Sequence, residues 1–201
     1  MRKLLSAVLI LFICQYTIAQ TGRFNVKGGA TLFILQSTND KTKDFAHGRV
    51  GYTFGAGYEM KLSKSFSIQP ELNYSYQVAR EEYVGSTLKA SYTQVPLLFR
   101  YHPGKSAVAI YAGPQVAFLG SAKTNVDGAG GDVGISSQLN QTDFGIAFGV
   151  ARVPLKSGLT VDARVYKGLM NVYKAEYDNG LKTRPAVISV TVGYIFGTKP
   201  S

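Results

Sequence analysis

Cysteine, histidine and acid are scarce in this sequence, and tryptophan is missing. The one cysteine, Cys14, sits in the first apolar run, so a disulfide within the chain is excluded, as is a thiolate site further along. The two histidines, His47 and His102, fall in connections expected at opposite ends of the molecule and do not cooperate. Twelve Asp and Glu stand against 22 Lys and Arg, a formal charge of +10. No basic cluster or basic helix accompanies the excess, which argues against nucleic acid as a partner. On an exported chain it suits anionic neighbours, outer-membrane lipid and lipopolysaccharide among them. No long apolar run follows residue 13, so no spanning helix is expected, since one needs about 20 such residues.

The start of the chain accounts for its only long apolar run. Arg2 and Lys3 precede Leu4 to Ile13, and Thr17-Ile18-Ala19 presents small residues where a signal peptidase reads. The expected organisation is a signal peptide over residues 1–19 and one β-barrel domain over residues 20–201. Lipidation at Cys14 is disfavoured, because Phe12 and Ile13 are bulky where small residues are needed.

What is abundant is alternation. From Phe66 to Val78, even positions are apolar or aromatic, apart from Pro70, and odd positions are polar. A period of two means a strand with one face in each environment. The same pattern predicts strands over residues 24–34, 50–62, 66–80, 88–101, 107–119, 142–153, 159–169 and 186–196. Connections near residues 64, 104 and 157 are short, and those at 36–47, 81–87, 120–140 and 171–185 are longer and polar. Eight strands with alternating short and long connections describe an up-and-down antiparallel barrel with all its short turns at one end. Outer-membrane barrels have that asymmetry.

A lipocalin-like barrel would turn the apolar face inward. Strands longer than the 9–11 residues that cross a bilayer, and polar faces of Gly, Ser, Thr and Gln, argue for the reverse. Tyr74, Tyr76, Tyr92, Tyr101 and Tyr194 near strand ends suit interfacial girdles. The all-β fold expected is therefore an eight-stranded transmembrane barrel with a filled lumen. Glu59, Lys61, Glu71, Arg100, Asp162 and Arg164 then point inward as structural lumen charges, since an Arg facing mid-bilayer lipid costs about 2–4 kcal/mol. Buried charges need partners, and Glu71 with Arg100 on the adjacent strand is the expected pair. Pro70, Pro96 and Pro114 interrupt strand patterns, and bulges beside them are expected.

Little suggests catalysis. Ser37, Asp44 and His47 form a weak outer-rim arrangement that solvated loop residues explain better. The run Asp127-Gly128-Ala129-Gly130-Gly131-Asp132-Val133-Gly134 has Val133 where a dinucleotide fingerprint needs Gly, and no helix follows. Neither a cofactor nor a metal is expected.

Three stretches carry a resemblance. Phe66-Ser67-Ile68-Gln69-Pro70-Glu71-Leu72-Asn73-Tyr74, Val95-Pro96-Leu97-Leu98-Phe99-Arg100-Tyr101 and Tyr111-Ala112-Gly113-Pro114 resemble the PorT-like outer-membrane β-barrel family, as does Val192-Gly193-Tyr194-Ile195-Phe196. The resemblance implies an outer-membrane protein of Gram-negative cells without a catalytic set. It also implies a link to a secretion or envelope complex, because the family's namesake is a secretion accessory. The expected role is a non-enzymatic anchor or interaction platform. The alternatives are an outer-rim enzyme acting on lipid or peptide, and a narrow transporter of small solutes.

Overall fold

The computed structural model describes residues 22–37, 47–81, 85–104, 106–126, 131–152, 158–176 and 183–196. They form β1 (Gly22–Ser37), β2 (His47–Lys61), β3 (Phe66–Glu81), β4 (Ser86–Tyr101), β5 (Val108–Val126), β6 (Asp132–Gly134), β7 (Thr142–Arg152), β8 (Leu159–Gly168) and β9 (Thr183–Phe196). Strand order is β4-β3-β2-β1-β9-β8-β7-β5, and a further β4–β5 pairing closes the ring. Every pairing is antiparallel. The result is the expected closed eight-stranded barrel, with β6 added outside the ring on the upper part of β5. Among the described residues, no helix is long and apolar enough to cross a membrane.

The faces divide by parity. On β3, Ser67, Gln69, Glu71, Asn73, Ser75 and Gln77 are buried inside, whereas Phe66 and Leu72 are exposed outside. Outward apolar side chains continue around the ring through Phe54, Phe99, Ile110, Phe148 and Val190. In water such a surface would be a large sticky patch. In lipid it is the spanning belt. Phe66 with Tyr101 and Tyr194 with Phe196 cluster at the short-turn rim, at centroid separations of 5.1 and 4.8 Å. Tyr52 stacks on Tyr76 at 5.2 Å towards the other rim. From Phe66 to Tyr76 is roughly 33 Å of strand at about 3.3 Å per residue. Tilted by about 40°, that makes a band near 25 Å, the apolar height of such barrels.

Inner faces are unequal in thickness. A Cβ on Gly55 of β2 would come within 2.0 Å of Asn73 Oδ1, and one on Gly149 of β7 within 2.5 Å of the Tyr111 hydroxyl. These thin walls leave room for the long side chains of β3, β5 and β8 to cross the lumen.

Three expectations need correction. Residues 120–140 are not simply a loop, because β5 continues to Val126 and pairs with β4 and β6. Ser91 pairs with Ser121 but Tyr92 with Leu119, so Gly120 is an extra residue that bulges out of β5. Below it, even positions such as Ile110 and Phe118 face outward; above it, Ser121 and Lys123 are exposed and Ala122 is buried. The bulge exchanges the two faces, which ended the alternation as read from sequence. Second, the prolines carry no bulges. Pro70↔Leu97 and Asn73↔Gln94 keep one register, as do Pro96↔Gln115 and Phe99↔Ala112. The ladder omits rungs beside the prolines and resumes in step, so the missing N–H groups cost pairings but not register. Third, Tyr92 belongs to no girdle; it shares the parity of Arg100 and points inward, at 8% exposure.

Candidate functional site

Among the described residues, the buried polar lumen is where chemistry gathers. At its centre stands Glu71, whose side chain is fully buried. Lys27 Nζ donates to both its oxygens at 2.8 Å. Arg164 donates through two guanidinium nitrogens at 2.8 and 3.1 Å. Gln69 adds a bond of 2.6 Å and Asn73 one of 3.0 Å. Arg164 also donates to the Tyr111 hydroxyl at 3.1 Å, and that hydroxyl donates to Asp162 at 2.7 Å. A buried carboxylate is tolerable when its charge and lone pairs are met in this way.

A second cluster lies nearer the short-turn rim. Arg23 reaches Glu59 at 2.8 Å, and Ser67 donates to Glu59 Oε1 at 2.7 Å. His102 Nε2 lies 3.0 Å from the same oxygen and 3.1 Å from Ser67 Oγ. Serine, histidine and acid together invite a hydrolase reading, but the geometry opposes it. A relay needs the acid on one ring nitrogen and the serine hydroxyl on the other. Here both contact the same nitrogen, and the serine proton is committed to the carboxylate. No nucleophile is activated.

The outer mouth is different in kind. Leu139, with no exposed surface, and Val172 pack on Ala90, Tyr92, Ala117, Leu119 and Ala122. Asn140 fixes this stopper by donating to the carbonyls of Asn171 and Tyr173 at 2.8 and 3.1 Å. Leu139 and Tyr173 also form a β-bridge. Just beneath, Tyr166 donates to Asp143 at 2.5 Å.

Of the six charges singled out from sequence, Glu59, Glu71, Arg100, Asp162 and Arg164 are buried inside the ring. Lys61, by contrast, is exposed at the end of β2. The expected Glu71–Arg100 pair does not form. Ser67↔Arg100 are register partners, so Arg100 sits four residues below Glu71's own level, roughly 13 Å along the strand. It bonds Gln69 instead and lies over the Tyr111 ring, 5.7 Å from its centroid. Glu71 finds its cations on β1 and β8. Sequence reasoning gave no lumen role to Arg23, Lys27 or Tyr111 and left His102 to a turn, whereas its ring reaches Glu59; an inward-parity lysine in mid-strand was the available signal for Lys27. Asp44 lies outside the described residues, while Ser37 ends β1 and His47 opens β2. Within the glycine-rich run, Asp132 accepts from Lys89 at 3.0 Å. Among the described residues, no group of three or more His, Cys, Asp or Glu is placed to hold a metal.

A closed antiparallel ring with an apolar belt outside and paired charges inside defines a small membrane-spanning β-barrel. The chain belongs to the outer membrane protein beta-barrel domain family, whose model matches residues 18–174. It is therefore a protein of the bacterial outer membrane. Solved structures share the fold at low identity. Neisserial surface protein A is 15% identical, with a TM-score of 0.55, and the match covers 86% of this chain and 97% of that one. A major outer membrane protein from Thermus thermophilus is 14% identical with a TM-score of 0.53, covering 88% and 100%. Ail, the attachment invasion locus protein of Yersinia pestis, solved with the heparin analogue sucrose octasulfate, is 14% identical with a TM-score of 0.50 over 88% and 100%. No curated protein matches the chain by sequence.

Proposed function

We propose that this protein is a non-enzymatic outer-membrane anchor that presents its outer strands and loops as an interaction platform. In this reading residues 1–19 are the secretory signal that delivers residues 20–201, and Glu59, Glu71, Arg100, Asp162 and Arg164 are structural lumen charges. The observation that carries it is a lumen obstructed twice, by the Glu71 cluster at mid-height and by Leu139 and Val172 at the mouth. A conducting pore or an internal reaction site has little room there. What remains on offer is the raised paddle of β4, β5 and β6 above the belt. Lys89 and Lys123 are cross-strand partners on it, and Asp132 bonds Lys89 while also feeling the charge of Lys123, so two cations share one anion. Like charges directly opposite each other cost stability unless an anion joins them. An anionic surface glycan or lipopolysaccharide is the partner chemistry this favours. The resemblance to PorT-like barrels favours a secretion or envelope complex as the protein partner.

Two measurements test the reading. Proteoliposomes should show no conductance above the lipid background; discrete channels would sink it. Gentle crosslinking in whole cells should capture a partner with the intact chain and lose it when the paddle is replaced by a short turn. Equal capture by both chains would move the platform elsewhere on the molecule.

A further inference from the structure

Two cavities lie one above the other along the lumen. The upper, of about 20 Å³, reaches Asn140, Asp143 and Asn171 beneath the mouth. The lower, also about 20 Å³, is walled by Lys27, Asn73, Gln115, Asp162, Arg164 and Thr191. Gln94, Tyr166 and Val187 line both, so the two are neighbours through shared walls.

Four atoms in the lower wall lack a hydrogen-bond partner among the described residues: Asn73 Oδ1, Gln115 Nε2, Asp162 Oδ1 and Thr191 Oγ1. Their residues are only 4, 2, 8 and 3% exposed. Asp162 Oδ1 has Arg164 Nε no nearer than 3.8 Å, an ion pair without a hydrogen bond. Burying such a group unmet is costly. Four of them around one space call for a common partner that both donates and accepts. Charge narrows the choice, because Lys27 and Arg164 are balanced by Glu71 and Asp162. A neutral ligand fits, and an ion would upset the balance. Size narrows it further, since a cavity needs roughly 10–15 Å³ to hold one water.

We propose that the lower cavity is a water-binding site. It holds one or two molecules, fed through the upper cavity from the outer mouth and sealed below by the Lys27–Glu71–Arg164 cluster. The barrel is then a blind, outward-connected well rather than a dry plug. This goes beyond the anchor reading and does not depend on it.

The test is water-to-side-chain magnetisation transfer by NMR on the refolded full barrel, with the side-chain amides of Gln115 and Asn73 as reporters. Direct water cross-peaks are expected at both. Replacing Gln115 by Leu and Thr191 by Val together should weaken the Asn73 cross-peak severalfold while the heat-modifiable gel shift persists. Leu139→Ala, or Val172→Ala if that variant fails to refold, should speed exchange at Gln115 severalfold, and His102→Ala at the lower rim should leave it unchanged. Missing cross-peaks in the parent barrel overturn the site. So does an Asn73 signal indifferent to the double substitution. Faster exchange with His102→Ala but not with the stopper variants overturns the outward connection.

Discussion

The lower and upper halves of this lumen solve one packing problem in opposite ways. Below, the space is filled by charges, the Glu71 carboxylate being wrapped in donors from β1, β3 and β8. Above, it is filled by Leu139 and Val172, apolar side chains brought in by the connecting segments. The lower device is strong only when complete, because a buried charge without its counter-charge is costly. The upper device tolerates partial loss, since an apolar stopper weakens roughly with the contacts removed.

The largest expected effect breaks the lower half. Glu71→Ala leaves Lys27 and Arg164 buried without their anion, and removing one member of such a cluster costs about 3–5 kcal/mol. Urea unfolding of the reconstituted barrel should show the loss, with the stopper's amides protected as before. Leu139→Ala should cost less, about 2–3 kcal/mol, and its increased hydrogen exchange should stay near the mouth. If both variants loosened the whole lumen equally, the division into two devices would fail.

Gly149→Ala sharpens the comparison from the wall. Its new methyl meets the Tyr111 hydroxyl and the Ala163 carbonyl, a strain of roughly 1–2 kcal/mol. Thermal gel-shift midpoints should fall, and the Tyr111–Asp162 bond should lengthen in a structure of the variant.

The smallest effect lies above both halves. Hydrogen bonds from Lys89 and then Asn125 hold the Asp132 carboxyl below the ordinary aspartate range. A lowered native pKa means the contact is at full strength above the unfolded value, about 3.9, and fades as pH falls through the native one. Amides at Lys123 and Gly134 should therefore lose protection, relative to their intrinsic exchange rates, only in acid, and Asp132→Asn should remove that pH dependence.

Much of this was legible in the chain, and what was not has a physical cause. Parity put Glu71 and Phe66 on opposite faces, since period two survives any register, and strand length with the small polar residues beside Glu71 turned that face inward. Glu71's partners were beyond reach, because pairing across the lumen depends on strand stagger and closure, which local pattern does not encode. Reading the adjacent strand suggested Arg100, and the register moved it a full four residues away. Tyr92 was misread for want of that same parity check. The paddle was missed because Gly120 resets the phase, so an alternation that continues looked like one that stops.

Gly120 has a consequence for how this surface can change over time. Above the bulge, a pair of residues added symmetrically to each side of the paddle preserves which face is wet, whereas a single insertion turns its greasy side to solvent. The belt below keeps its own phase in either case. Outer length is thus free to drift in even steps without renegotiating the membrane, which uncouples what the cell displays from what the bilayer demands.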